Sequence, residues 1–466
     1  MGNDIFNRRK FSLLTSTALT RQAATFSALG LAFSAGSAFA LDPNALPVDP
    51  NVVGGAATFN QSGATLTVNQ STNRTVIDWR SFDIGSNATT NFVQPNSSSI
   101  AVNRVNGSAN PTEIQGTLNA NGQVWILNPN GVLFGKNAQI DVAGIVASTG
   151  NISVQSFMSG DTRLQLSGAD GGSVTNEGAI TIADGGLAAF VAPAVRNSGV
   201  IHARVGKVTL AAGTTFTLDL AGDQLVEIGL GANNALVDQS GQLIAEGSTV
   251  NLTAKSASAV VDSVVNVSGT VLASGVHEDG GAIVLTADNV TTTGDAVLRA
   301  DGGTNGNGGT ITAYANKSGS YDGTFSAKGG AEGGNGGAIE TSGKKVEIAS
   351  TISVNTLAPR GETGNWTIDP DDLTVTDGAN AGAVDPDAST ITNGTVVNQL
   401  LTTSVTLAAN NSITVDGAIN SSGAGNLALN DQNPDGDLTI NLNATIKLGS
   451  GKTLSGQGSV VNVANS

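Results

Sequence analysis

The sequence predicts an all-β chain wound as a right-handed parallel β-helix, a solenoid with a capped N-terminal section. Three observations predict it. Short alternating runs such as "ATLTVN", "GKVTLAAG", "STVNLTAK" and "KVEIAS" recur after residue 41. Each is bounded by Gly, Asn, Asp or Ser, and helical periodicity is almost absent. Gly280-Gly281, Gly308-Gly309 and Gly336-Gly337 lie 28 residues apart, and each pair opens a strand. A second signature places Gly178, Gly199, Gly241 and Gly269 at strand starts, separated by 21, 42 and 28 residues. Fixed periods of this size, with strand and turn content, belong to solenoids. One coil of short strands cannot bury its inward Val, Ile and Leu alone, whereas stacked coils pair every backbone group with the coils above and below. At about 4.8 Å per coil, roughly 12 to 15 coils between residues 60 and 370 would make a rod about 60–70 Å long. A β-sandwich array is the alternative, and it has no need of a fixed short period.

Composition narrows the function. The 466 residues include 61 Gly and no Cys, with 12% charged and 4% aromatic side chains and a net charge of −16. Charged residues usually make up about a quarter of a globular chain. Without Cys there is neither a disulfide nor a thiolate metal site, and two histidines, His202 and His277, nearly exclude a histidine-based metal or catalytic cluster. No metal or other cofactor is expected. An acidic chain is poorly suited to nucleic acid, and no segment after the leader is long and apolar enough to span a membrane.

Residues 1–40 read as an export leader. Arg8-Arg9-Lys10 and Arg21 precede an apolar stretch that ends in Ala38-Phe39-Ala40, an A-x-A cleavage pattern. "RRKF" also has the look of a twin-arginine signal, the other reading being the basic region of a long general secretory signal. Beyond the leader the chain divides softly. Residues 41–160 hold Trp79 and Trp125 of the three tryptophans, 161–370 are plainer β-helix repeats, and 371–466 are a further β-rich, repeat-like or frayed region. Trp366 falls 27 residues after Ile339, where a further strand of the Gly-Gly type is expected.

The most specific local signal is "GQVWILNPNGVLFG", residues 122–135. Asn128 suits position i of a type I turn, Pro129 fixes φ at i+1, and Gly131 suits i+3. The flanking runs Val124–Leu127 and Val132–Phe134 are apolar at successive positions, so those strands would be buried on both faces. Trp79, Phe82, Trp125 and Phe134 are therefore expected in the packing of a cap, with extra strands lying against the outside of the coil.

These motifs carry a resemblance. "VIDWRSFDIG" (76–85), "VNRVNG…NPTEIQGTLNANGQVWILNPNGVLFG" (102–135) and "AQIDVAGIVAST" (138–149) resemble the haemagglutination-activity, or two-partner secretion, domain of filamentous-haemagglutinin-type exoproteins. The likeness runs from about residue 42 to 160. It looks closer to the branch of the high-molecular-weight adhesins and haem–haemopexin binding exoproteins, because the alternative downstream Asn-Pro-Asn motif is missing. The resemblance implies a chain exported unfolded, recognised by a dedicated outer-membrane transporter, threaded through its pore and folded outside. It implies a secreted or cell-surface, adhesin-like protein without catalytic activity, with a host-cell, cell-surface or extracellular ligand; haem-carrier capture is the alternative. Asn110-Pro111 and Asn128-Pro129-Asn130-Gly131 would carry the secretion-determining turns.

Competing chemistries find less support. A polysaccharide-active β-helix needs carboxylates gathered on one face, and the acids here are scattered beside Gly in turns. "DQNPDGDLTINL" (431–442) begins like a calcium loop, but Pro434 interrupts it and Leu442 stands where Glu belongs. Asn-x-Ser/Thr triplets at Asn69, Asn87 and Asn151 are what an Asn/Thr-rich chain produces by composition.

Overall fold

A computed structural model describes residues 40–464, apart from 170, 221–225, 258–260, 276–277, 379–388 and 432–436. The expected leader, His277 and most of the calcium-like start after Asp431 lie outside the described residues. The described residues from Leu41 onward pack as one unit.

The chain is a right-handed parallel β-helix with three faces per coil. In one coil Gln123–Leu127 forms the first face, Asn128–Gly131 turns, and Val132–Phe134 forms the second face. Gln139–Val142 forms the third, and Gly144–Ser148 then opens the next coil with Gly144 beside Gln123. Burial alternates along most strands, and inward Val, Ile, Leu and Ala from successive coils make one continuous core. Ten successive parallel pairings join eleven strands on the first face, from Arg74–Trp79 to Asn365–Asp369. That is fewer coils than the roughly 12 to 15 inferred from strand spacing, because two excursions leave the coil, between residues 149 and 172 and between 213 and 231.

The two glycine signatures are two stacked columns. A Cβ on Gly309 would lie 2.0 Å from the Gly281 carbonyl oxygen, and one on Gly337 would lie 2.0 Å from that of Gly309. Gly199, Gly241 and Gly269 stack the same way, each with its would-be Cβ 2.1–2.2 Å from the carbonyl of the glycine one coil earlier. Only hydrogen fits at such corners. Ile339 pairs with Trp366, as their spacing predicts.

Two layers cover this coil where it would otherwise be open. At the N-terminal end Asn51–Gly54 runs antiparallel to Arg74–Trp79, and Ala57–Ser62 pairs antiparallel with Thr65–Gln70. Along the flank the excursions form an antiparallel accessory sheet of Asn151–Ile152, Arg163–Ser167, Thr215–Asp219 and Val226–Leu230. With the short helix Val154–Ser159 it encloses a second core, in which Val76, Val102, Trp125 and Ala189 meet Phe157 and Phe216. The run Val124–Leu127 is buried on both faces because one face looks into the coil and the other meets this sheet. Val132–Phe134 departs from that expectation, since Leu133, between inward Val132 and Phe134, is only half-buried and lies in neither core.

Candidate functional site

The two Asn-Pro motifs lie on adjacent coils and form one corner. The Asn128 side chain is fully buried and joins them: Nδ2 donates to the Asn110 carbonyl and to Thr112 Oγ1, both at 3.1 Å. Its Oδ1 accepts from the Asn130 backbone N–H at 3.0 Å, while Gly131 N–H donates to the Asn128 carbonyl at 2.9 Å, closing the turn. Asn130 Nδ2 reaches the Ser108 carbonyl at 2.9 Å. Gly131 stands at φ 119°, a conformation in which a side chain is strained. Across the next coil Gly172, at φ 70°, packs so tightly that a Cβ would sit 2.9 Å from the Pro129 carbonyl oxygen. The root of the accessory excursion thus rests on the turn.

Exposure separates the six residues. Asn110, Pro111 and Pro129 are exposed, Asn130 is half-buried, and Asn128 and Gly131 are buried. Asn128 and Gly131 therefore shape the corner, and the two prolines with Asn110 are what another molecule could touch. Nearby, Asp83 Oδ1 accepts from the Glu113 N–H at 2.9 Å. Burial, with the Glu113 carboxylate as a smaller contribution, pushes the Asp83 carboxyl above its ordinary range.

The four aromatic residues fall into three places. Trp79 packs edge-on against Phe59 and Phe82, with ring centroids at 5.6 and 5.5 Å, and closes the N-terminal end of the coil. Its Nε1 donates to the buried Asn103 Oδ1 at 3.0 Å, so the indole is satisfied without water. Trp125 faces outward into the second core, 5.9 Å from Phe157. Phe134 departs from the expected cap packing: it points into the coil and stacks on Phe190 at 5.5 Å. Strand alternation explains the difference, since Trp125 lies between inward Val124 and Ile126 whereas Phe134 shares the inward parity of Val132.

Sequence reasoning missed Arg74. Its Nη1 donates to the Phe157 and Asp161 carbonyls at 2.5 and 3.1 Å, and its guanidinium lies 5.2 Å from the Phe157 ring centroid. It pins the end of the short helix to the first coil, a cation beside the partly negative C-terminal carbonyls. Nothing in the sequence singled it out; the 42-residue glycine interval, twice the preceding 21, marks the other excursion, between residues 213 and 231.

Among the described residues no group of three or more His, Cys, Asp or Glu is placed to hold a metal ion, and no helix is long and apolar enough to cross a membrane. Glu340, Asp369 and Asp371 crowd one outer face, where burial, then Glu340 and Asp371, raise Asp369 to about 6. Ser342 Oγ donates to Glu340 Oε1 at 2.6 Å.

Known proteins resemble this chain in sequence and in fold. Two heme/hemopexin-binding proteins of Haemophilus influenzae are similar in sequence. One is 36% identical over 254 residues, covering 53% of this chain and 28% of its own length. The other is 30% identical over 290 residues, covering 57% of this chain and 31% of its own. The chain thus spans under a third of the length of these relatives. The crystal structure of the HMW1 secretion domain from Haemophilus influenzae shares the fold, with a TM-score of 0.54 at 21% identity over 90% of this chain and all of that one. None of these names describes a catalytic activity. The TPS secretion domain model matches residues 46–298, which takes in the N-terminal cap, the Asn-Pro corner and the accessory sheet; the chain belongs to the TPS, or two-partner secretion, domain family.

Proposed function

We propose that this chain is the exported partner of a two-partner system, and that the corner of Asn110, Pro111 and Pro129 is read by its outer-membrane transporter. The observation that carries the reading is the family match across 46–298, within which two Asn-Pro turns stack into one surface feature. Residues 1–40 are the leader, 41–160 the part first engaged, and the later coils the exported cargo. Threading suits the chemistry: without Cys no loop can be locked before passage, and each coil buries apolar area only once it is outside. On the surface the coil stack acts as an adhesin-like binding rod toward a host-cell or extracellular ligand. Capture of a haem-carrying protein is a second reading, favoured by the two heme/hemopexin-binding relatives.

The test is secretion into the medium with and without the candidate transporter. Wild type should need the transporter. Pro111→Ala and Pro129→Ala, which remove exposed side chains, should stay in the periplasm yet give a normal circular dichroism spectrum when purified. Asn128→Ala should fail for a different reason, since it leaves the Asn110 carbonyl and Thr112 hydroxyl without their donor, at about 1–3 kcal/mol. Arrival in the medium without any transporter would sink the two-partner reading. Normal secretion of both proline variants would remove the corner from recognition and leave the family assignment standing.

A further inference from the structure

Strand order along the second face follows the sequence until residue 348 and then reverses once. In space Ala338–Ile348 is followed by Ser389–Thr392, then by Asp372–Thr376, then by Ser412–Val415. Ser389–Thr392 is a wedge. The coil that follows in sequence leaves the end of Ala338–Ile348 open, and this later strand fills the gap: Ser389 Oγ accepts from the Val346 N–H at 2.8 Å, and Thr390 pairs with Glu347.

The third face is interrupted in the same coil. Among the described residues twelve strands stack on it and end at Ser353–Asn355, where the helix Asn393–Gln399 takes the place of a thirteenth strand. A residue in a neighbouring parallel strand would donate to the Ile352 carbonyl and accept from the Val354 N–H. The Gln399 side-chain amide makes both bonds, with Nε2 at 2.9 Å from the Ile352 carbonyl and Oε1 at 2.8 Å from the Val354 nitrogen. Thr402 continues the ladder, its hydroxyl donating to the Val354 carbonyl at 2.8 Å and its carbonyl accepting from Thr356 N–H at 3.2 Å. Ile391, Val396 and Leu400 are buried to 1% exposure or less, so the segment is anchored by the core as well as by these bonds.

We propose that residues 389–403 are a closing strap that sets a pause in coil-by-coil folding. Before 338–348, each coil has its edges covered by the coil next in sequence. The coil of residues 338–356 is instead left with two open strand edges until a segment from beyond the following coil arrives. Open edges pair with whatever strand is offered, so closing both with one segment also keeps a partly folded chain from pairing out of register. It rests on strand order and on these hydrogen bonds, and stands whether or not the transporter reading holds.

The experiment is pulse-labelled hydrogen exchange during refolding of the full chain, read by mass spectrometry of peptides. Residues 345–356 should become protected in the same phase as 389–403, and after 282–292 and 310–321. Protection of 345–356 together with 310–321, ahead of 389–403, would overturn the strap. At equilibrium, Gln399→Met should speed exchange at 352–356 at least tenfold while leaving 310–321 unchanged. An unchanged rate at 352–356 would show that the amide closes nothing. Should that variant fail to fold, the order of protection in the wild type still decides.

Discussion

Val205 stands at φ 52° and is 59% exposed. The coils before and after it place Gly185 (φ 75°) and Gly247 (φ 67°) at the same corner, tied by Gly185 N–H to the Arg204 carbonyl and by Val205 N–H to that of Glu246. A β-branched residue in the left-handed region costs about 1–2 kcal/mol, and an exposed side chain recovers little by packing. Val205→Gly should therefore stabilise this corner by about 1 kcal/mol, seen as slower amide exchange over 203–207; faster exchange would show that the Val side chain has contacts that matter. Asp369 poses the opposite case, a polar group in the wrong solvent. Its carboxyl is raised to about 6, above its ordinary 3.8, by burial and then by Glu340 and Asp371. A raised acid binds its proton more tightly folded than unfolded. Its contribution is therefore fully present below about pH 4 and lost as pH rises through about 6. Asp369→Asn should remove that slope and be the more stable protein at pH 7, by urea midpoints taken from pH 4 to 8; parallel curves would refute it.

Elements here are made by what repeats between coils. The glycine columns are the strictest repeat. Gly309→Ala would drive a methyl to 2.0 Å from the Gly281 carbonyl oxygen, backbone against backbone, with no side chain able to yield. It should cost on the order of 3 kcal/mol or more, whereas Gly171→Ala, with no atom within 4 Å, should cost little; equal melting shifts would contradict the stacking argument. Amides form a second repeat. Buried Asn176 donates to Asn197, and Asn197 to Gln239, each at 2.8 Å, so the corner carbonyls and amides satisfy one another down the stack. On the surface an Asn one coil later often answers an Asp: Asn289 on Asp262 at 2.9 Å, Asn410 on Asp371 at 2.9 Å, Asn443 on Asp416 at 2.8 Å. Stacking like charges every 4.8 Å or so would repel, and this pairing accounts for a sequence rich in Asn and poor in charge. Such repeats were legible in the sequence because a period needs no knowledge of the third dimension; Ile339 and Trp366 pair where counting put them. The accessory sheet and the strap were not legible, since their partners lie outside the period. Residues near 165 meet residues near 217, and Ser389–Thr392 lies beneath a strand that precedes it. Phe134 was misplaced for a related reason: a run apolar at every position does not say which face is which.

At the scale of the whole molecule the N-terminal region is a coil with two cores separated by one sheet. Val124 and Ile126 look into the coil and Trp125 looks out, so a single strand holds both together. The outer core is the smaller, and its roof is an antiparallel sheet on whose outer surface Arg163 pairs with exposed Glu227 at 2.9 Å, a contact of small worth. Its attachment must then come from the apolar contacts beneath, Trp125 against Phe157 foremost, and from Arg74 holding the helix end. Trp125→Ala should cost about 3–5 kcal/mol, and most of that loss should fall on one side of the sheet. Amide exchange should rise across 163–167, 215–219 and 226–230, while the third-face strands Thr117–Ala120 and Gln139–Val142 keep their protection. Phe134→Ala, which opens the inner core beside Phe190, should do the reverse. If both variants loosen both regions equally, coil and accessory sheet unfold as one unit, and the Asn-Pro corner cannot be altered without altering the sheet rooted on it. If they separate, the accessory sheet is a detachable flank on a self-sufficient coil, and whether export needs it can be tested by Trp125→Ala in a protein whose coil remains intact.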